Sequence, residues 1–117
     1  MLGLGLVVLT ISAAGQWWAA RHETALGAQV AALARPGDIR MLASETCSIC
    51  SLARRWFSAN QIAFTECLIE RDAACRAAFE ASAAAGTPVL LLRGQVEIGF
   101  NPTRLRDRLK DLSSPTS

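Results

Sequence analysis

The sequence predicts an α/β sandwich in which a βαβαββα chain is wrapped around a four-stranded mixed sheet, with an N-terminal apolar helix in front of it. Three observations carry this. From residue 38 onward, short strand-like runs alternate with amphipathic helical stretches, the pattern of two parallel strands joined by a helix. Further on, Val89–Leu92 and Gln95–Ile98 are separated only by Arg93-Gly94, the spacing of a hairpin. Finally, Val89-Leu90-Leu91-Leu92 is apolar at every position, as expected of a strand covered on both faces.

Each element has its own signal. Pro36-Gly37 stops whatever precedes it, so the globular unit begins near Asp38. The first strand is residues 39–43, and its helix runs from about 47 to 59, with Ile49, Leu52, Ala53, Trp56 and Phe57 at helical spacing. Thr46 reads as the N-cap, which places Cys47 in the first turn. Residues 62–69 form the second strand, with Phe64 and Ile69 apolar. Asp72 caps a helix from 73 to about 84, rich in Ala and centred on Phe79, which Gly86-Thr87-Pro88 breaks. After the hairpin, Asn101-Pro102 opens a final helix, with Asn as cap and Pro at the first position, and Leu105, Leu109 and Leu112 supply its buried face. Residues 113–117 are a polar tail.

Composition bounds the function. The 117 residues suffice for one domain and an extension, and 51% apolar with 19% charged residues excludes global disorder. The net charge is +2, and the basic residues are scattered among acids with no basic stripe, which argues against a nucleic-acid partner.

The N-terminal segment stands apart. Residues 1–20 carry no charged side chain, and Leu2, Leu4, Leu6, Val7, Val8, Leu9 and Ile11 make an apolar run that ends at Trp17-Trp18 and Arg21. About 20 such residues can span a bilayer as a helix, and a Trp pair suits its interface. The expectation is a transmembrane or signal-anchor segment at 1–20. A secretory signal cleaved near Ser12-Ala13-Ala14 and a buried core helix are the alternatives. Residues 21–37 read as a helical linker with Leu26, Val30 and Leu33 on one face, and residues 38–112 as the domain. With Arg21, Arg35 and Arg40 following the segment, the domain of a single-pass inner-membrane protein is expected on the cytoplasmic side, the periplasmic side being the alternative.

Chemistry concentrates at Cys47-Ser48-Ile49-Cys50. A CxxC can be a redox pair or half of a zinc site; its place between a strand and a helix favours redox chemistry. At the start of a helix, unpaired amides and the helix dipole favour thiolate over thiol, and a second cysteine within one turn can resolve a mixed disulfide. Cys67 and Cys75 lack the short knuckle spacing of structural zinc sites. They read either as small buried hydrophobes or as a structural disulfide. Arg54 and Arg55 read as a solvated helix face, or as cations near the thiolate. His22, the only histidine, lies beside the N-terminal segment.

Taken in order, four features resemble the glutaredoxin branch of the thioredoxin superfamily: the strand–CxxC–helix at Met41 to Phe57, the segment Phe64 to Asp72, the turn Gly86-Thr87-Pro88-Val89, and Gly99-Phe100-Asn101-Pro102 before a Leu-spaced helix. The last is most similar to the glutaredoxin-like hydrogen donors of ribonucleotide reductase. The resemblance covers residues 38–112. It implies a thioredoxin-like fold, Cys47 as nucleophile and Cys50 as resolving cysteine. It further implies a cis-proline at Pro88 and a Thr87 backbone that binds an incoming peptide or glutathione. Ser-Ile between the cysteines departs from the Pro-Tyr common in glutaredoxins, and their Gly-Gly-Asp glutathione signature is absent. The implied activity is thiol–disulfide exchange on a disulfide-bearing protein or a small thiol by a monomer, with no metal or organic cofactor. An external reductant such as glutathione or a thioredoxin-reductase system would restore the dithiol. The competing reading is a binding module that keeps the fold and holds a metal, an iron–sulfur cluster or a partner protein in the same groove.

Overall fold

The computed structural model describes the backbone of residues 2–114; the side chains of residues 1–12, 19, 20 and 22–24 lie outside that description. The elements in chain order are α1 (Leu2–Leu33), β1 (Ile39–Ala43), α2 (Ser48–Ala59), β2 (Thr65–Leu68), α3 (Ala73–Ala81), β3 (Val89–Leu92), β4 (Gln95–Ile98) and α4 (Pro102–Ser113). After α1 this is the expected βαβαββα order.

The four strands form one mixed sheet in the order β2-β1-β3-β4. β1 runs parallel to β2, with Leu42 opposite Cys67, and antiparallel to β3, with Leu42 opposite Val89. β3 and β4 form a hairpin closed by Arg93-Gly94, both in the left-handed region, as a two-residue loop that matches strand twist requires. The central strands explain the apolar runs. Ile39, Met41, Leu42, Ala43, Val89, Leu90 and Leu92 have no exposed surface.

Alternation along β1 and β3 divides the core between two faces. Ile39, Met41, Ala43, Leu90 and Leu92 point toward α2 and α4, where Cys50, Ala53, Phe57, Leu105 and Leu109 complete the larger core. Leu42 and Val89 point the other way, toward α3, and form a small cluster with Cys75. Phe57 is the hub of the larger core, its ring 4.9 Å from Phe64, 5.6 Å from Phe100 and 5.8 Å from Trp56.

Several boundaries differ from expectation for local reasons. β2 begins at Thr65 rather than at 62, because Ile62 is a buried anchor whose amide donates to the Phe57 carbonyl at 2.9 Å. α3 ends at Ala81 rather than near 84. Ser82 caps it, donating its hydroxyl to the Phe79 carbonyl at 2.6 Å, and Ala83 turns left-handed. The expected caps Asp72 and Asn101 are both in place, accepting from the Cys75 and Arg104 amides at 3.1 and 3.0 Å.

The N-terminal expectation requires correction. Among the described residues no helix is long and apolar enough to cross a membrane, which overturns the transmembrane segment at 1–20 and the single-pass inner-membrane placement. The side chains of residues 1–12, on which that reading mostly rests, lie outside the described residues. The expected helical linker is the continuation of α1, which runs unbroken from Leu2 to Leu33. Its last turns pack on the domain: Leu26 is buried, and Val30 and Ala34 belong to the larger core. Arg106 of α4 reaches Gln29 at 3.1 Å.

Candidate functional site

The site is built where β1 ends. Beyond Ala43 the chain turns through Ser44, Glu45 and Thr46 and enters α2. The sequence predicts the cap at Thr46; the structure puts it one residue later. The Thr46 hydroxyl lies 3.3 Å from the Ser44 hydroxyl, and Cys47 itself has the extended backbone of an N-cap. The Cys47 sulfur accepts the amide of Cys50 at 3.0 Å. A sulfur in this place serves one of the unpaired amides at the helix start and meets the positive end of its dipole, so the thiolate form is favoured when the pair is reduced.

Cys47 and Cys50 form a disulfide, their Cα atoms 5.2 Å apart. Their environments differ. Cys50 has no exposed surface and is packed in the larger core, whereas Cys47 is half-buried at its margin. An incoming reactant therefore meets Cys47 first.

The turn is held by the segment that follows β2, the strand parallel to β1. The Glu70 carboxylate accepts from the Ser44 hydroxyl, and from the Glu45 amide at 3.2 and 3.3 Å. Arg71 pairs with the Glu45 carboxylate. The Ser44 hydroxyl, then the backbone amides and the Arg71 charge, hold the Glu70 carboxyl below its ordinary range.

Thr87–Pro88 is a cis peptide bond. Pro88 is buried at the head of β3 and its carbonyl accepts the Gly99 amide at 2.9 Å. The Thr87 N–H and C=O make no backbone hydrogen bond to the rest of the described chain. A free backbone beside a proline at a strand's start can pair with an extended guest segment.

Other candidates resolve differently. Arg54 forms a two-pronged ion pair with Glu66 across to β2 at 2.6–3.0 Å, which raises its pKa, so this guanidinium is already engaged. Arg55 is exposed. His22's side chain lies outside the described residues. Cys67 and Cys75, left open by the sequence, form a second disulfide on the α3 face of the sheet.

One feature escapes the sequence reading. Ile49, Leu52, Ala53, Trp56 and Phe57 share one helical spacing, which does not tell buried from exposed; Ile49 and Leu52 are 48% and 49% exposed. The buried stripe is Cys50, Ala53 and Phe57. Ile49, Leu52 and Trp56 form a second stripe, and with Leu26, Phe100 and Pro102 they line an apolar cleft of about 350 Å³ beside the CxxC turn. The available signal is an apolar arc too wide for one buried face.

No protein-family model matches the chain, and no curated protein matches it. Among solved structures it is similar to the thioredoxin-like protein BC3987. A point mutant of that protein is 25% identical with a TM-score of 0.56, the match covering 63% of this chain and 96% of that one. The unmutated form is also 25% identical, with a TM-score of 0.52 and coverage of 61% and 97%. The chain has a thioredoxin-like fold with a CxxC at the N-terminus of α2.

Proposed function

We propose that the protein is a thiol–disulfide oxidoreductase of glutaredoxin-like type, with Cys47 as nucleophile and Cys50 as resolving cysteine. The observation that carries this is the pairing of a half-buried Cys47 sulfur, capping α2 through the Cys50 amide at 3.0 Å, with a Cys50 that has no exposed surface. A nucleophile must be reachable and its thiolate stabilised; a resolving group must be close and shielded.

In the reduced state the Cys47 thiolate attacks one sulfur of a substrate disulfide. The other substrate sulfur leaves as a thiolate and takes a proton from water. The product is a mixed disulfide at Cys47. Cys50 loses its proton and attacks the Cys47 sulfur, the second substrate sulfur leaves, and a Cys47–Cys50 disulfide forms. Two electrons have passed to the substrate. An external thiol reductant such as glutathione or a thioredoxin-reductase system returns them, and no metal or organic cofactor takes part. The Thr87 backbone, free of internal partners, pairs with the substrate segment around its cysteine, and Pro88 holds it there. The substrate is a disulfide-bearing protein or a small thiol disulfide, and the chain acts as a monomer. The kinship with the hydrogen donors of ribonucleotide reductase belongs to this reading.

The test is reduction of insulin and of a glutathione mixed disulfide by the full chain. Cys47→Ser should abolish turnover, and Cys50→Ser should accumulate a mixed disulfide detectable by mass. Full activity in Cys47→Ser, or stoichiometric iron or zinc in anaerobically purified protein, refutes the mechanism and favours the binding-module reading.

A further inference from the structure

The second disulfide closes residues 67–75 into a loop, the Cα atoms of Cys67 and Cys75 being 6.0 Å apart. Glu70 and Arg71 lie inside this loop, and both hold the turn that leads into Cys47. Glu70 accepts from the Ser44 hydroxyl and the Glu45 amide, and Arg71 pairs with Glu45. Besides these contacts, the Arg71 and Asp72 amides donate to the Leu68 carbonyl at 3.1 and 3.0 Å, and Ile69 packs on the cluster around Cys75. Its last backbone bond to β1 runs from the Ile69 amide to the Ala43 carbonyl at 2.9 Å. Within α3 only Cys75 is fully buried, in the small cluster with Leu42 and Val89.

The two sulfurs are not equivalent. Cys75 has no exposed surface; Cys67 is half-buried on β2, an edge strand. The Arg40 guanidinium, on the same face of the sheet, donates to the Cys67 sulfur at 3.6 Å. A cation beside a sulfur favours its thiolate.

We propose that Cys67–Cys75 is a redox clasp, opened by a small dithiol, that controls through Glu70 and Arg71 how firmly the Ser44–Thr46 turn presents Cys47. The opening step is ordinary exchange. One thiolate of the dithiol attacks the Cys67 sulfur, the S–S bond breaks, and Cys75 leaves as a thiolate that takes a proton from water. The second thiol loses its proton and attacks its partner sulfur in the mixed disulfide. Cys67 leaves as a thiolate beside Arg40, and the reductant departs as its cyclic disulfide. Two electrons enter the protein. With the loop open, residues 68–74 regain conformational freedom and the Glu70 and Arg71 contacts loosen. The effect on Cys47 reactivity rests on the oxidoreductase reading above; the mechanical coupling does not.

The experiment compares the full-length wild-type chain with Cys67→Ser/Cys75→Ser and with Glu70→Ala. Peptide mapping of wild type alkylated without reduction should recover Cys67 and Cys75 in one linked pair. Hydrogen exchange at the Glu45 amide should be about tenfold faster in both variants, while the β3 amides change less. Combining all three substitutions should add nothing further. Insulin reduction should fall severalfold in both variants. Free thiols at Cys67 and Cys75 in protein prepared without reductant would overturn the proposal. So would unchanged exchange at Glu45, acceleration there only in step with β3, or faster exchange with unchanged insulin reduction. If the double-serine variant does not fold, wild type whose Cys67 and Cys75 have been opened by a small dithiol, as shown by alkylation, takes its place under the exchange criteria. A wild-type chain that reduces no disulfide would remove the proposed function, while the exchange comparison would still decide the clasp.

Discussion

Phe57→Ala should cost about 4 kcal/mol of folding stability, and the reason lies in the architecture that supports the CxxC. Phe57 has no exposed surface and sits two turns beyond Cys50 on the buried stripe of α2. Truncating a core Phe to Ala costs roughly 3–5 kcal/mol through lost transfer energy and the cavity left behind. Phe57 also makes tilted or edge contacts with Phe64, Phe100 and Trp56, at centroid separations of 4.9, 5.6 and 5.8 Å. Such pairs contribute about 0.5–1.5 kcal/mol beyond their area, which moves the expectation above the bottom of the range. Against a total stability of about 5–15 kcal/mol this is a large fraction. At about 4–8 °C per kcal/mol for a domain of this size, the midpoint should fall by roughly 16–32 °C. The assay is urea unfolding at about 25 °C followed by far-ultraviolet circular dichroism, with the m-value held common to both proteins. Ile49→Ala, on the exposed stripe of the same helix, is the control and should stay within about 0.5 kcal/mol. A loss under about 2 kcal/mol for Phe57→Ala, or an equal loss for Ile49→Ala, would refute this account of the core.

Two further predictions probe the joints around the domain. The Arg93 guanidinium and the Arg35 amide hold Asp38 below its ordinary carboxyl value of 3.8. A carboxylate with a depressed folded pKa stabilises fully above its unfolded value, and that contribution disappears as pH falls through the lower folded value. The stability gap between wild type and Asp38→Asn should therefore be constant from about pH 7 down to about 5 and shrink below about pH 4, and a gap that grows on acidification refutes the assignment. At Gly27 an added Cβ would overlap the Asn60 carboxamide, whose Nδ2 donates to the Trp56 carbonyl at 3.0 Å. Gly27→Ala should therefore lose about 1 kcal/mol instead of showing the usual helix-propensity gain of similar size. In an Asn60→Ala background it should no longer destabilise; a stabilising Gly27→Ala with Asn60 present would show that α1 does not approach α2 this closely.

What the sequence reveals and what it hides divide by range. Strand runs, the Asp72 and Asn101 caps and the Arg93-Gly94 hairpin turn are local, each written in a few neighbouring residues, and each is legible. The cap at Cys47 is missed by one position because Thr46 is the better capping residue by type, yet its hydroxyl is turned toward Ser44. The exposure of Ile49 and Leu52 is not legible, because helical spacing alone does not say which apolar stripe is buried. The apolar N-terminal run reads as a bilayer span from composition, whereas its helix continues into Leu26 and Val30, which are buried in the domain. The contacts that hold the CxxC turn are not legible. Glu70 and Arg71 lie 25 and 26 residues from Glu45, and only the parallel pairing of β1 with β2 brings them together.

The two cysteine pairs occupy opposite faces of one sheet, and what each closes decides what its oxidation can do. Cys47–Cys50 spans the first turn of a single helix. When it opens, Cys50 remains packed in the larger core with Ala53 and Phe57, and the Cys47 sulfur can still accept the Cys50 amide. On the proposed function, that pair exchanges electrons without displacing an element. Cys67–Cys75 joins an edge strand to a helix whose own core contribution is one cysteine in a three-residue buried cluster. Opening it removes a covalent restraint from a smaller cluster, where Ile69, Ala78 and Phe79 pack but are only partly buried. On the proposed clasp, the same chemical change is mechanically silent on one face and mechanically expressed on the other. The link proposed between the two pairs is Glu70 and Arg71, which lie in the loop that the second pair closes and contact the turn into Cys47.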